Sequence, residues 1–378
     1  MKIRISKNPV LIPKKRQMTP LEISNYRLLS QKISSTQFSS AKEIVGWMGA
    51  MQAQDFAMAK WAVGIRLLNS TNAKIEMALN KGEIIRTHVM RPTWHFVSAD
   101  DVYWLLDLTA GKIKSALKTR DKQLELSESL FIRSNNLIES VLKEGNHLSR
   151  EELTTVFNNA NIRTDDNRLS HIMLRAELEG IVCSGQIKGN KPCYSLLSQR
   201  VPRKKTISRD ESICELAKRY FTSHGPATFR DFVWWSGLSV TQARKGLESI
   251  QSDFNSEKVG SAKYWFKDSF STIPPETNSV YLLPAFDELI ISYKDRSSTL
   301  SLIHNNKAVS QNGIFHPVIV ANGQVTGIWK RKIKKDELLI EMSSFLADEQ
   351  FTADLINKAA LEYGNFLNKQ IKLETFYI

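Results

Sequence analysis

Apolar residues recur at spacings of three and four over the first quarter of the chain, which is typical of amphipathic helices. On this pattern we predict helices over 21–29, 41–48, 56–68 and 72–80, the last capped by Thr71 or Asn72. The period then changes, because 84–89 and 93–97 are rich in strand formers and flank Met-Arg-Pro. Ser98 is the expected N-cap of the next helix, with Asp100 and Asp101 in its first turn. Helices followed by a hairpin are the element order of a winged helix.

The same order of elements recurs twice. Helical spacing returns over 137–143, 150–158 and 168–179, and IVCSGQI, KGNK and PCYSLL then predict strand, turn and strand. A third unit starts at Asp210, where Thr228 should cap FRDFVWWS, Gly237 should end that helix and Ser239 should cap the next. This is a helix-turn-helix, and 264–266 are assigned to its wing. We infer three tandem modules that are related in order and not in sequence.

The composition becomes strand-like after Pro274 and Pro275. SVYLLPAFDELIISY predicts a strand, a turn and a second strand, and PVIVANGQVTGIWKR predicts a hairpin. Its Asn322-Gly323 pair is the strongest hairpin signal in the chain, because a type I′ turn needs positive φ at both central positions. Residues 348–368 should be helical.

These elements predict an α+β fold of tandem winged-helix domains followed by a small C-terminal β-barrel-like domain. We expect five units in order: a basic tail (1–20), a first winged helix (21–118), a second winged helix (119–199), a basic linker with a third winged helix (200–273), and a β-domain with a terminal helix (274–378).

The charge of the chain favours an anionic partner. Lys and Arg exceed Asp and Glu by 52 − 39 = 13, and nucleic acid is the first candidate, with an acidic membrane surface left open. No apolar run is long enough to span a bilayer, and the first residues lack the apolar core of a signal peptide. The three cysteines fit no zinc spacing and are an odd number, which favours a reducing cytoplasm. Cys183 and Cys193 are either joined by a disulfide or, as we prefer, are buried free thiols.

Two basic clusters are candidates for contacts with DNA phosphates, since a helix fits the major groove while Lys and Arg neutralise the backbone. One cluster is in the linker and comprises Arg200, Arg203, Lys204 and Lys205. The other begins at the end of the predicted hairpin and comprises Lys330, Arg331, Lys332, Lys334 and Lys335. A solvated surface explains each cluster equally well, and winged helices also bind proteins.

Five segments carry a family resemblance. MQAQDFAMAKWAVGIRL, RTHVMRPTWHFVSADDVYWLLDLT, HGPATFRDFVWWSGL, YLLPAFDELIISYKDR and GIFHPVIVANGQVTGIWKR resemble, in this order, the bacterial winged-helix family that includes the DNA glycosylases AlkZ and YcaQ. The resemblance implies tandem winged helices with a C-terminal β-domain, and removal of bulky or crosslinking N-alkylated purines from DNA. The family motif is Gln-x-Gln in the AlkZ branch and Gln-x-Asp in the YcaQ branch. Gln52-Ala53-Gln54 matches the first, which makes Gln52 and Gln54 the candidate catalytic residues.

The chemistry of two amides suits such a reaction. Residues i and i+2 of an extended segment share a face, so both amides would point one way and Ala53 toward the protein. An amide is not a general base, but its oxygen accepts a proton of water in a hydrogen bond and its NH₂ donates to a sugar or phosphate oxygen. Holding a water suffices when the leaving group is a cationic N7- or N3-alkylpurine. The alternative is that both glutamines cap helix ends or face solvent.

Several neighbours of the motif are candidates for supporting roles. Asp55 either orients water or, as we prefer, caps the helix that starts at 56. Other candidates lie on the first wing, namely Arg86, Arg91, Trp94 and His95, although a structural histidine is the preferred interpretation of His95. We assign Trp234 and Trp235 to the core of the third module in preference to the alternative, a role in stacking on bases. Asp287 and Glu288 are adjacent in a predicted strand and so face opposite ways, which disfavours a paired-carboxylate site.

We therefore expect a DNA glycosylase, monofunctional because no lysine nucleophile is evident, with no metal and no cofactor. Its partner would be duplex DNA carrying alkylated purines, bound by a monomer in the bacterial cytoplasm at the nucleoid. The alternatives are a non-catalytic DNA-binding protein such as a transcription regulator, and a protein-interaction scaffold. The chain contains no Gly-rich phosphate loop, HExxH or GxSxG motif.

Overall fold

The computed structural model describes residues 17–189, 191–203, 207–267, 278–345 and 353–377. Most of the predicted basic tail, together with Lys204 and Lys205 of the linker, lies outside these residues. The described chain contains the predicted series of helices and hairpins and then a C-terminal sheet. None of the described helices combines the length and apolarity needed to cross a membrane.

The first module has five helices and a small sheet. They are α1 (Pro20–Ser30), α2 (Ala41–Met48), β1 (Met51–Gln52), α3 (Phe56–Gly64), α4 (Asn72–Lys81), β2 (Ile84–His88), β3 (Trp94–Ser98) and α5 (Val102–Gln123). The strand order is β1-β3-β2. Thr71 caps α4 as predicted. The N-cap of α5 is Asp101 and not Ser98, because Ser98 still pairs with Ile84 in the sheet.

The second module repeats the order of helices and hairpin. It comprises α6 (Glu128–Leu142), α7 (Arg150–Asn159), α8 (Arg168–Leu178), β4 (Val182–Lys188), β5 (Lys191–Leu196) and α9 (Leu197–Arg200). The helix predicted to begin at 137 begins at Glu128, because the hydroxyl of Ser127 accepts the N–H of Leu130 and starts it earlier. Cys183 and Cys193 are buried free thiols, as preferred from the sequence.

The third module is bounded by strong local signals. Its elements are α10 (Arg209–Ser223), β6 (Ala227–Thr228), α11 (Phe229–Ser236), α12 (Val240–Ile250), β7 (Asn255–Val259) and β8 (Ala262–Phe266). Thr228 and Ser239 both form capping boxes, with Asp231 and Gln242 respectively. Gly237 ends α11 at φ 66°. These three predictions are confirmed.

The C-terminal segment forms an open five-stranded sheet in the order β13-β12-β11-β10-β9. Its elements are β9 (Val280–Leu283), α13 (Glu288–Ile291), α14 (Asn305–Ala308), β10 (Val318–Ala321), β11 (Gln324–Ile333), β12 (Glu337–Ser344), α15 (Ala353–Leu367) and β13 (Gln370–Tyr377). Asn322 at φ 49° and Gly323 at φ 82° form the predicted turn. The strands β9 and β13 lie at opposite edges, so the expected barrel is not confirmed.

The helix predicted over 348–368 is confirmed as α15, which is described from Ala353 to Leu367. One expectation for this segment was wrong and one was incomplete. Glu288–Ile291 is a helical turn and not a second strand, because the Asp287 carboxylate accepts the N–H of Leu289 and caps it. The chain also continues beyond α15 into β13, which pairs in parallel with β12. The predicted terminal helix is therefore followed by an edge strand.

The small sheet of the first module is packed on both faces. On one face, Met51 and Phe96 belong to an apolar core shared with α15 and the C-terminal sheet. Within that core the indole N–H of Trp61 donates to the carbonyl of Leu282 at 2.7 Å. On the other face, Ile85 and Val97 belong to a core shared with the third module. The small sheet therefore lies between the third module and the C-terminal segment.

A buried ion pair joins the first module to the C-terminal segment. Arg66 donates from both terminal nitrogens to the two carboxylate oxygens of Asp287, each at 2.9 Å. Both side chains are fully buried. The same guanidinium donates to the carbonyl of Ala62 and to the side chain of Gln31, so most of its hydrogen-bonding capacity is used. A bidentate geometry of this kind offsets the cost of removing two charges from water.

We expect Asp287→Asn to lower the free energy of unfolding by about 3–5 kcal/mol, because it leaves the Arg66 charge buried without a counterion. Urea denaturation followed by circular dichroism measures the loss. The matched control is Asp165→Asn, at an ion pair with Arg163 in which both side chains are more than half exposed; it should change stability far less, because an ion pair in water contributes little. Equal effects at the two positions would contradict the structural role of the buried pair.

Candidate functional site

The Gln-x-Gln motif lies where the first, third and C-terminal units meet. Gln52 is the last residue of β1 and pairs with His95 of β3. The next N–H, of Ala53, donates to the carbonyl of Trp94 at 2.7 Å, which extends the pairing by one bond. The chain then bends at Gln54 and enters α3. The segment is therefore extended only as far as Ala53.

The two glutamines differ in exposure. Gln52 is 5% exposed, whereas Gln54 is exposed at the bend. Ala53 is fully buried and belongs to the core shared with the C-terminal sheet, which is the side predicted for it. Because the strand ends at Gln52, the expected common face of the two amides does not follow from strand geometry.

Gln52 is held from two directions. Its side-chain oxygen accepts a hydrogen bond from Arg91 at 3.0 Å, and its backbone N–H donates to the Glu288 carboxylate at 2.6 Å. Arg91 also donates to the carbonyls of Trp234 and Trp235 at 3.4 and 3.2 Å. These carbonyls are in the last turn of α11, where they lack helical partners and carry the negative end of the helix dipole.

The contact between the first and third modules is close at this point. Gly237 has positive φ, and a Cβ there would lie 2.3 Å from the carbonyl oxygen of Met90, the residue before Arg91. Only glycine fits this approach without a shift of backbone. The turn after α11 thereby sets the position of the loop that carries Arg91.

Glu288 is a buried acid that sequence reasoning dismissed. Besides the N–H of Gln52, it accepts hydrogen bonds from the Trp235 indole at 3.3 Å and from the Ser292 hydroxyl. Burial opposes its ionised form, but His224, with Nε2 at 3.8 Å, together with Ser292 and the Gln52 N–H, lowers its pKa to about 2. The sequence signal that could have indicated this buried acid is its position among apolar residues in FDELII.

His95 lies on the same side of the small sheet as Gln52, since the two are directly opposite across β1 and β3. It is fully buried, and its Nδ1 donates to the carbonyl of Thr93 at 2.9 Å. Burial, reinforced by Arg91, lowers its pKa to about 3, so the ring is neutral at physiological pH. At neutral pH His95 therefore carries no proton to donate, and its low pKa makes it a weak base.

Arg86 and Trp94 lie on the opposite side of the sheet. Arg86 donates from Nε to the carbonyl of Ala53 at 3.0 Å, and its guanidinium is 4.2 Å from the Trp94 ring centroid. The Trp94 indole donates to Glu177 of the second module at 3.4 Å, and His88 binds the same carboxylate. Arg86, Trp94 and Glu177 border a pocket of ≈ 300 Å³ between the first and second modules. Arg86 therefore holds the backbone of the motif from the face of the sheet opposite to the Gln52 side chain.

Asp55 is the N-cap of α3, with its carboxylate accepting the N–H of Met58 at 3.0 Å. The preferred interpretation from the sequence is confirmed. The two tryptophans of the third module differ: Trp235 is fully buried, as predicted, whereas Trp234 is 37% exposed and its ring lies 4.7 Å from the Lys294 ammonium. The assignment of Trp234 to the core was wrong.

The basic clusters contain residues with different environments. Arg200 is not free for phosphates, because it donates to the carbonyls of Leu79 and Asn80 at the end of α4. Arg203 is exposed and lies 3.7 Å from Asp107. On β11, Lys330 is exposed. Lys332 is also exposed and pairs with Glu341. Arg331 is half-buried and donates a hydrogen bond to the Tyr363 hydroxyl. The clusters thus combine surface charges with structural contacts.

We expect stability to fall with acid. The unfolded chain protonates His95 near its ordinary pKa of 6.5, but the folded protein does so only near 3, so the stability contributed by neutral His95 is present above pH 6.5 and lost as pH falls. Glu288 adds a second loss below its ordinary pKa of 4.5. Urea midpoints between pH 7.5 and 4.5 measure the effect, at about 1.4 kcal/mol per pH unit for each proton.

The variant for this measurement is His95→Asn, compared with the wild type. It should flatten the dependence of stability on pH between pH 6.5 and 5, because it removes one of the groups that take up a proton only on unfolding. An unchanged slope in a folded His95→Asn variant would contradict the assigned pKa.

Comparison with known proteins adds independent information. A family model described as DNA glycosylase AlkZ-like matches residues 45–366. A curated relative, the interstrand DNA cross-link repair glycosylase of Streptomyces sahachiroi, is 23% identical over 357 residues, which cover 90% of this chain and 94% of the relative. The solved structure of Streptomyces sahachiroi DNA glycosylase AlkZ has the same fold, with a TM-score of 0.79 at 20% identity, over 95% of this chain and 100% of that chain.

The family match includes the motif, the wing that carries Arg91 and His95, the helix-turn-helix of the third module and most of the C-terminal segment. It therefore extends over all the units that meet at Gln52. On this match, the chain belongs to the AlkZ-like DNA glycosylase family.

Proposed function

We propose that this protein is a monofunctional DNA glycosylase that hydrolyses the N-glycosidic bond of N7- or N3-alkylated purines in duplex DNA, with Gln52 and Gln54 as the catalytic residues. The observation that carries the proposal is the Gln-x-Gln motif itself: Gln52 is fixed by Arg91 and Glu288, and Gln54 is exposed directly beside it. A fixed amide next to an accessible one suits the positioning of a substrate and a water.

The reaction needs little proton chemistry. An N7- or N3-alkylpurine is a cation, so its bond to C1′ breaks with the electron pair going to the purine, which leaves as a neutral base. The oxygen of a water molecule forms the new bond to C1′, and the water loses one proton to the solvent. Catalysis then consists of holding the water and the sugar in line, which supplies a large part of the rate enhancement.

The ionisable groups near the motif support this view. His95 is neutral and buried, Glu288 is buried and engaged by three donors, and Asp55 caps α3. Lys60, in α3, is paired with Glu76 at 2.5 Å. None of these four groups is placed as a general base or an amine nucleophile. A site of this kind requires a leaving group that is already activated, which excludes uracil and 8-oxoguanine.

Crosslinked and bulky lesions fit the same site. The curated relative is named as an interstrand cross-link repair glycosylase. In this chain Gln54 lies at an exposed bend, so a reacting nucleotide does not need to enter a closed cavity to reach it. We propose that adducts that project from the duplex are tolerated for this reason.

DNA binding is assigned to the surface charges. Lys330 and Lys332 project from β11, and Arg203 is exposed at the end of the second module. With Lys204 and Lys205 and the half-buried Arg331 they are the proposed contacts to the backbone, made by a monomer. The family match favours a glycosylase over the alternative of a non-catalytic regulator.

The decisive experiment is incubation with duplex DNA that contains N7-methylguanine, followed by detection of the released base. We expect release by the wild type, and a single-turnover rate lowered about 30- to 1000-fold by Gln52→Ala or Gln54→Ala, because removing a positioning interaction costs about 2–4 kcal/mol in the transition state. DNA affinity should change little. The double variant should be scarcely slower than the worse single variant.

Two controls limit the interpretation of this experiment. DNA that contains uracil should yield no released base, and efficient release would show that the leaving-group argument is wrong. Asp55→Ala should lower stability by about 1 kcal/mol and leave excision intact, since Asp55 is a cap. Loss of excision in folded Asp55→Ala, with both glutamine variants active, would assign catalysis to the carboxylate instead.

Binding to undamaged duplex DNA should weaken steeply with salt and show little sequence preference. The double variant Lys330→Ala/Lys332→Ala should reduce the slope of log K against log salt by about 1 for each phosphate that is no longer neutralised. Lys188→Ala/Lys191→Ala removes the same charge from the hairpin of the second module, which is not among the proposed DNA contacts, and should change the slope less. Fluorescence anisotropy at several salt concentrations gives both slopes. Tight, salt-independent binding to one palindrome would favour the regulator.

A further inference from the structure

The carboxamide of Gln52 is held in one orientation. Arg91 Nη2 lies 3.0 Å from Gln52 Oε1, and because arginine only donates hydrogen bonds, the atom that faces it must be the amide oxygen. The other end of the amide, Nε2, has no hydrogen-bond partner among the described residues. Gln52 therefore keeps its two N–H groups for a partner outside the described protein.

A rotation of this amide by half a turn is unfavourable. It would place the N–H groups of Gln52 against the guanidinium of Arg91, so two donors would face each other. Arg91 does not move aside, because Nη1 donates to the two carbonyls at the end of α11 and the preceding Met90 packs against Gly237. The third module thus fixes Arg91, and Arg91 fixes Gln52.

We propose that Arg91 is a positioning residue that gives the two glutamines different roles. With its oxygen held by Arg91, Gln52 acts as a hydrogen-bond donor to a phosphate oxygen of the lesion nucleotide. Gln54, exposed at the bend, accepts a hydrogen bond from the attacking water. This inference rests on the proposed function and adds a division of labour to its two catalytic residues.

The chemistry of the reaction selects the phosphate as the partner of Gln52. An N–H group directed at the sugar ring oxygen would oppose the positive charge that develops there as the glycosidic bond breaks. An N–H group that donated to the attacking water would reduce its nucleophilicity. A phosphate oxygen is anionic throughout, and a donor polarised by an adjacent guanidinium binds an anion well. The role of Gln54 needs only a carbonyl oxygen with a free lone pair.

The first test replaces each amide by a carboxylate, which accepts hydrogen bonds but has no N–H. Single-turnover release of N7-methylguanine from duplex DNA is measured for Gln52→Glu and Gln54→Glu. We expect Gln52→Glu to be at least as slow as Gln52→Ala, because the donor is lost and a negative charge faces the phosphate. Gln54→Glu should stay within about tenfold of the wild type, because it still accepts from water. The reverse pattern, or equal activity of both variants, would overturn the proposal.

The second test asks whether Arg91 acts through Gln52. Arg91→Met should lower the single-turnover rate while DNA affinity stays within about twofold of the wild type. In the Arg91→Met background, Gln52→Ala should cause little further loss, since the two residues act as one unit. Arg91→Lys should restore part of the rate, because an ammonium also donates to the Gln52 oxygen. Multiplicative losses from the two substitutions would show that Arg91 acts independently.

The matched control is Arg219→Met. Arg219 is another half-buried arginine of the third module that contacts the first module, donating to the Gly46 carbonyl and to Asp101 without touching Gln52. The substitution should lower the melting temperature, because it removes an interaction between modules. In the double variant with Gln52→Ala, the loss of rate should equal the product of the losses in the two single variants. A coupling to Gln52 equal to that of Arg91 would reduce the role of Arg91 to general packing and contradict the inference.

The outcomes separate this inference from the proposed function. If the folded wild type releases no base, or if Gln52→Ala and Gln54→Ala both keep the full rate, the catalytic assignment fails and the inference fails with it. If both alanine variants are slow but Gln52→Glu is active, the glycosylase assignment stands and only the donor role of Gln52 is lost.

Discussion

A single buried carboxylate, that of Glu288, joins three parts of the molecule. It is carried by α13 in the C-terminal segment, and it accepts hydrogen bonds from the Gln52 backbone in the first module and from Trp235 in the third. A buried charge is tolerated only when donors surround it, and here the donors come from separate units. The motif can therefore hold its position only when all three units are assembled, and module boundaries drawn along the sequence do not isolate the site.

The small β1-β3-β2 sheet distributes the surrounding residues according to strand geometry. Gln52 and His95 are on the face toward the third module, and Arg86 and Trp94 are on the face toward the second. Two arginines have distinct targets here: Arg91, on the loop between β2 and β3, binds the side chain of Gln52, and Arg86 of β2 binds the backbone of Ala53. Gln52 and Ala53 are thereby fixed, while the next residue, Gln54, stays accessible.

The sequence predicts what depends on local chemistry. The Asn322-Gly323 turn, the caps at Thr228 and Ser239 and the helix end at Gly237 follow from the conformations these residues adopt by themselves. Glu288–Ile291 was misassigned because an apolar run with one acid suits a strand as well as a helical turn. The links from Gln52 to Arg91 and Glu288 connect residues 39 and 236 positions apart, and nothing in the local pattern encodes such pairings. The motif was found by family resemblance, and its surroundings only by the fold.

The exposed position of Gln54 has a consequence for how such a protein would select its substrate from a large excess of normal purines. A deep pocket rejects the wrong base by shape, at the stage of binding. An open site cannot reject a base by shape, so damaged and normal purines differ only in how easily the glycosidic bond breaks. A neutral purine must leave as an anion, whereas an alkylated purine leaves uncharged. Under the proposed function, recognition of damage is then a matter of reactivity, and an encounter with intact DNA ends without product.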